Sequence, residues 1–174
     1  MGFNINNPAT PAAEKQNTER INTAIAWLRQ GWSAQAFSLL SEPNTNAATE
    51  KDPAARFALG LCHLRAGDLS SAISCMEQAM HLLGATSAPA REAQESNETY
   101  LRLAVAQIAE KVYLTPMNPD FCARFPKTAG QMVLLALIHV YQKKGMPEQA
   151  QRLAASLIGP VFEEYKKKLA ENNL

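Results

Sequence analysis

The sequence predicts an all-α protein assembled from antiparallel helix pairs, and three observations carry that reading. Apolar residues recur at spacings of three and four along most of the chain, and no stretch alternates with the two-residue period of a strand. Of the 174 residues, 29 are alanine while only 7% are aromatic, so small side chains must build the core and let helices approach closely. Glycines with a fixed surrounding pattern recur between the helical stretches. With 47% hydrophobic residues over this length, one domain with a substantial core is expected.

Residues 1–13, Asn-, Pro- and Ala-rich without periodicity, are expected to be a disordered lead, with a single domain over 14–174. From about residue 17, Ile21, Ile25 and Leu28 step by four and three up to Gly31. Ala36, Phe37, Leu39 and Leu40 follow as a second short helix that Pro43 ends, and the polar stretch 42–52 reads as a loop. Asp52-Pro53 opens the clearest helix, an N-cap side chain followed by a proline whose missing N–H costs nothing in the first turn. That helix carries Phe57, Leu59, Leu61 and Leu64 and stops at Gly67-Asp68. Its partner carries Ala72, Ile73, Met76, Ala79, Met80 and Leu83, with Gly84 as a left-handed stop.

A long amphipathic helix is then expected up to Leu114, through Leu101, Val105, Ile108 and Val112. Residues 115–127, with three prolines, read as an irregular excursion pinned by Phe121 and Phe125. The last unit is a helix over 128–144, a Gly145-Met146-Pro147 turn and a helix over 148–158 that Gly159-Pro160 breaks. Val161, Phe162, Tyr165 and Leu169 form a final amphipathic face.

The glycines align the pairs. Gly31 and Gly67 stand 36 residues apart, and Ala36, Ala72 and Ala150 each lie five past Gly31, Gly67 and Gly145. Four before each glycine stands a ring: Trp27, His63 and Tyr141. An alanine early in the second helix permits close approach, the ring fills the space above it, and the glycine allows the reversal. Each pair buries only one side, so pairs must stack.

The segment 53–83 resembles a tetratricopeptide repeat through Leu59-Gly60, His63, Gly67, Ala72, Met76 and Ala79. Residues 131–158 are similar through Leu137, Tyr141, Gly145 and Ala150, and residues 17–43 through Trp27, Gly31 and Ala36. The resemblance implies a TPR-like α-solenoid of about three pairs (units 17–43, 53–84 and 131–158) with an inserted helix, or an eroded repeat, over 85–127 and a C-terminal helix. It further implies a concave groove lined by first helices: Ile21, Ile25 and Leu28 with Arg29, then Phe57, Leu61, Leu64 and Arg65, then Met132, Leu135 and His139 with Lys143. The slots where family members clamp an acidic chaperone terminus hold Ile21, Ile25, Ala58, Met132 and Ala136, so that clamp is not expected. In size and repeat count the chain also resembles bacterial type III secretion class II chaperones, which hold apolar translocator segments.

Other classes lack support. Net charge is +1, too little for binding nucleic acid by bulk charge. The longest apolar run, Met132 to Tyr141, is too short for a membrane span, and the N-terminus has no signal-peptide pattern. Three cysteines, Cys62, Cys75 and Cys122, without metal-ligand spacing, point to packing thiols in a reducing, cytoplasmic compartment. No phosphate loop, zinc signature or nucleophile motif is present, and Glu77 with His81 reads as a surface pair, so no catalytic residues, metal or cofactor are expected. The reading is a non-enzymatic adaptor or chaperone binding an apolar peptide or amphipathic helix in its groove. The alternative is a self-associating structural protein whose groove is filled by its own chain, with 115–127 or the C-terminal helix as plug, or by a second copy as a homodimer.

Overall fold

The computed structural model describes residues 11–85, 111–159 and 162–171. Among the described residues the protein is all-helical and has no strand. The helices are α1 (Pro11–Arg29), α2 (Ser33–Ser41), α3 (Pro43–Thr49), α4 (Pro53–Ala66) and α5 (Leu69–Ala85). A 3-10 turn at Val112–Leu114 precedes α6 (Pro119–Arg124), α7 (Pro126–Lys143), α8 (Pro147–Ala155) and α9 (Glu163–Glu171).

Three helix hairpins, α1–α2, α4–α5 and α7–α8, share one turn. Gly31, Gly67 and Gly145 all adopt left-handed backbone, with φ of 89°, 81° and 75°. After each glycine the next N–H donates to the carbonyl of the ring residue four before it: Trp32 to Trp27 at 2.9 Å, Asp68 to His63 at 3.0 Å, Met146 to Tyr141 at 2.9 Å. The glycine N–H donates one turn back, to Leu28, Leu64 and Gln142 respectively. This is the Schellman arrangement, which satisfies the last carbonyls of the first helix while reversing the chain. Ala36, Ala72 and Ala150 are all fully buried where the second helix returns along the first.

The hairpins pack in chain order. α2 lies against α4, and α5 lies against α7. Between the first two, Arg65 donates to the Leu28 carbonyl (2.9 Å) and the Ser33 hydroxyl (3.0 Å), and Phe37 meets His63 edge-on with centroids 5.3 Å apart. Between the second and third, the Tyr141 hydroxyl donates to Glu77 Oε1 at 2.8 Å and Lys144 to Ser70 at 3.1 Å. Glu77, read from the sequence as a partner of His81, thus serves the next hairpin. The 78 residues separating Gly67 from Gly145 do not separate their hairpins in space. α9 packs on α8, and Phe162 just before it and Leu169 within it are buried.

Several boundaries differ from the sequence reading. α1 starts at Pro11, inside the expected lead, and α7 at Pro126 rather than 128 or 131. The stretch 42–52 is not a loop throughout: Pro43 ends α2 and also opens α3, which packs on α1 and α2. Thr45 and Thr49, one turn apart, are buried there, and Thr49 donates to the Leu40 carbonyl at 3.2 Å. A short helix of mostly polar residues lacks the apolar stripe that marks a helix in sequence. Gly84 lies within α5 without a left-handed φ, and α8 ends at Ala155 rather than Ile158. Of the expected long helix, 86–110 lies outside the described residues, and its end is a 3-10 turn preceded by Lys111 at φ 56°. The excursion 115–127 contains α6, capped by Asn118, whose side chain accepts from the Phe121 N–H at 2.7 Å.

All three cysteines are buried and free. Burial pushes the Cys62 thiol up to about 11, Cys122 up to about 12 and Cys75 upward, so each stays protonated and packs as a small apolar group.

Candidate functional site

The residues read from sequence as groove-lining divide into two sets. Ile21, Ile25, Leu28, Phe57, Leu61, Leu64, Met132 and Leu135 are all buried within one continuous core. Arg65 is exposed and His139 half-buried. The expected open apolar trough is therefore corrected: its floor is interior, and the side chains expected to meet a partner meet the protein itself.

The chain from Lys111 to Arg124 accounts for part of this covering. Its start lies beside Leu61, Leu64 and Arg65 at the C-terminal end of α4. The 3-10 turn packs on α7, and α6 packs on both α4 and α7. Cys122 lies in α6, the part of the segment that packs on α4. The segment buries Tyr113, Met117 and Cys122. Arg29 fixes its middle, donating Nη2 and Nε to the Pro116 carbonyl at 3.0 and 3.3 Å. Phe121 and Phe125, expected as pins, meet with centroids 5.5 Å apart, and Phe121 packs on the core.

Where this segment begins, a recess of about 450 Å³ remains. It is lined by Leu61, Leu64 and Arg65 of α4, Lys111, Leu114 and Thr115, and His139 and Lys143 of α7. The volume falls in the range of ligand sites. Four of the sequence-read positions, Leu61, Leu64, Arg65 and His139, meet here, as does Lys143. Ile21, Ile25, Leu28, Phe57, Met132 and Leu135 do not line it. Lys111, Leu114 and Thr115 escaped the sequence reading, because only the return of the segment across the first helices brings them to α4 and α7. The three prolines after Leu114, which exclude a continuous helix, were the available signal.

The electrostatics are one-sided. Arg65, Lys111 and Lys143 bring three cations, and no carboxylate lines the recess among the described residues. His139 Nδ1 lies 3.4 Å from the Tyr113 hydroxyl. Burial first, then the charges of Lys111 and Lys143, hold the His139 pKa below its ordinary value, so the ring is neutral at pH 7.

That shift has a measurable sign. The unfolded chain protonates His139 at the ordinary value near 6.5, whereas the folded chain resists, so this residue's contribution falls as pH drops through that value and is level above it. His139→Gln should therefore melt with a shallower loss of Tm between about pH 7.5 and about pH 5.5 than the parent chain. Equal slopes in the two melts would place the ring in solvent.

Among the described residues, no three His, Cys, Asp or Glu side chains gather at metal-binding distance, and no helix is long and apolar enough to cross a membrane. No family model, curated protein or solved structure matches the chain.

Proposed function

We propose that the chain is a non-enzymatic, cytoplasmic protein-interaction module of the adaptor or chaperone kind, built as a TPR-like array and binding a partner segment at the recess between α4, α7 and the Lys111–Thr115 turn. The observation that carries the reading is the threefold recurrence of one hairpin: left-handed glycine, ring carbonyl at minus four and buried alanine at plus five, with the hairpins packed in chain order. Such stacking leaves the ends of successive first helices side by side, and the recess lies at such ends, between Leu61–Arg65 and His139–Lys143.

The second reading, a groove filled by the protein's own chain, is favoured over the rest of that face by one observation. Tyr113, Met117 and Cys122 are buried there and Arg29 is bonded to Pro116. The two combine: the Lys111–Arg124 segment fills the trough, and the recess is what stays accessible.

A photo-crosslinking amino acid placed at Lys143 and, as a control, at exposed Gln78 on α5 tests this in the source cell. The expected result is a discrete heavier adduct from position 143 and none from 78. Adducts from 78 alone would keep an interaction module but move its site; adducts from neither would remove the reading.

A further inference from the structure

We infer that the Lys111–Arg124 segment is a releasable, autoinhibitory cover over the first-helix face, latched by Arg29 and hinged at Lys111 and at Phe125-Pro126. This rests on the reading that the chain fills its own trough, and adds that the filling segment lifts as a unit.

The first argument is where its backbone bonds go. The Leu114 N–H donates to the Lys111 carbonyl (2.8 Å), Thr115 to Val112 (2.9 Å), Cys122 to Asn118 (3.2 Å) and Phe125 to Phe121 (2.9 Å). Asn118 caps α6 from within the segment. Among the described residues, no backbone–backbone bond joins the segment to another hairpin. It can therefore lift with its own turns intact, as a unit that opens locally while the rest of the fold stays closed.

The second argument is the latch. From outside the segment, the Pro116 carbonyl accepts both Nη2 and Nε of Arg29, two charge-assisted bonds on one oxygen. Arg29 is the last residue of α1, and the carbonyl of Leu28 before it is held by Arg65 of α4, so the guanidinium is positioned in advance. The contact of the Tyr113 hydroxyl with His139, at 3.4 Å, is longer than a firm hydrogen bond. Otherwise the segment is seated by the burial of Tyr113, Met117 and Cys122.

The third argument is the hinges. Among the described residues, Lys111 is the one non-glycine with left-handed backbone, φ 56°. That conformation costs a residue with a side chain, and lifting relieves it. At the other end Phe125 lies between α6 and α7, and Pro126 has no N–H for a change of direction to break. Closed, the segment keeps a partner from the apolar seat that its own three side chains occupy on α4 and α7.

Cys122 supplies the test, because it is buried within the cover, whereas Cys75 is buried on α5. The folded full chain is alkylated with iodoacetamide and the rate at each cysteine is read by mass spectrometry. In Arg29→Ala, Cys122 should react about tenfold or more faster while Cys75 keeps the parent rate. Loss of a cation disfavours the thiolate, so a faster Cys122 cannot come from charge alone. Arg29→Lys, with one ammonium to donate, should fall between. Lys111→Gly removes the strain of the closed form and should slow Cys122 below the parent.

An unchanged Cys122 rate in Arg29→Ala, or an equal rise at Cys75, overturns the proposal, the latter because it reports opening of the whole fold. Should Arg29→Ala not fold, Lys111→Gly decides: a Cys122 no slower than in the parent overturns the releasable cover. None of these rates involves a partner, so their failure leaves the crosslink from position 143 to decide the interaction module separately.

Discussion

Phe57→Asp is expected to abolish the cooperative thermal transition seen by circular dichroism. Phe57 lies in the middle of α4, fully buried at 0% exposure in a core that joins α4 to its neighbours. Truncating a buried phenylalanine alone costs about 3–5 kcal/mol through lost contacts and the cavity left behind. The substitution also buries a carboxylate without a counter-ion, which adds several kcal/mol or forces the group to take up a proton. Against a domain stability of about 5–15 kcal/mol, that sum unfolds most or all of the chain. A reading of Phe57 as the wall of an open groove expects a folded variant that merely fails to bind. A native-like melt of Phe57→Asp would restore that groove; the burial of Phe57 and Leu61 argues for collapse.

The second large effect lies where α4 meets α5. Ala72 is fully buried, and a Cβ built on Gly60 would stand 3.3 Å from the Ala72 carbonyl oxygen and 2.9 Å from Met76 Cγ. The two helices therefore touch backbone to backbone. Ala72→Leu must push three further carbons into that contact and should cost about 1–3 kcal/mol, read as a drop in Tm or in the urea midpoint. Gly60→Ala makes a useful contrast. Its single new methyl would stand 2.9 Å from Cγ of the fully buried Met76 and 3.3 Å from the Ala72 carbonyl, so the helices must shift slightly, and the gain in helix propensity of about 1 kcal/mol works against that cost. A smaller loss for Gly60→Ala than for Ala72→Leu is expected. The reverse order would mean that the helices cannot shift at Gly60 at all.

The parts of the fold that were legible in the sequence are those fixed by local backbone chemistry. Gly31, Gly67 and Gly145 are readable because a left-handed turn residue is most often glycine, and Asp52-Pro53 because a cap and an N1 proline act within one turn. The all-helical class followed from periodicity, the many alanines and the recurring glycines. α3 was not legible, because its short, polar Pro43–Thr49 stretch lacks an apolar stripe and is held by Thr49 and its packing on α1 and α2.

The candidate site was half legible for a related reason. Periodicity identifies which face of a first helix is apolar, but not what covers that face. Nothing local to Ile25, Phe57 or Leu135 tells an open groove from one packed against other parts of the chain. The partial exposure of His139 and the recess beside it depend on where residues more than twenty positions away come to rest, as Tyr113 does against His139.

The prolines carry a further consequence. Six of the nine described helices open on one: Pro11, Pro43, Pro53, Pro119, Pro126 and Pro147. A pyrrolidine ring holds φ near the helical value whether or not the chain is folded, so at these six points the denatured ensemble has fewer conformations to surrender. Helix starts such as those of α3 and α6, too short to nucleate well alone, thereby begin with one torsion already set. Part of what keeps the three hairpins together is thus located in no contact of the native state. It resides in the restricted freedom of the chain before it folds.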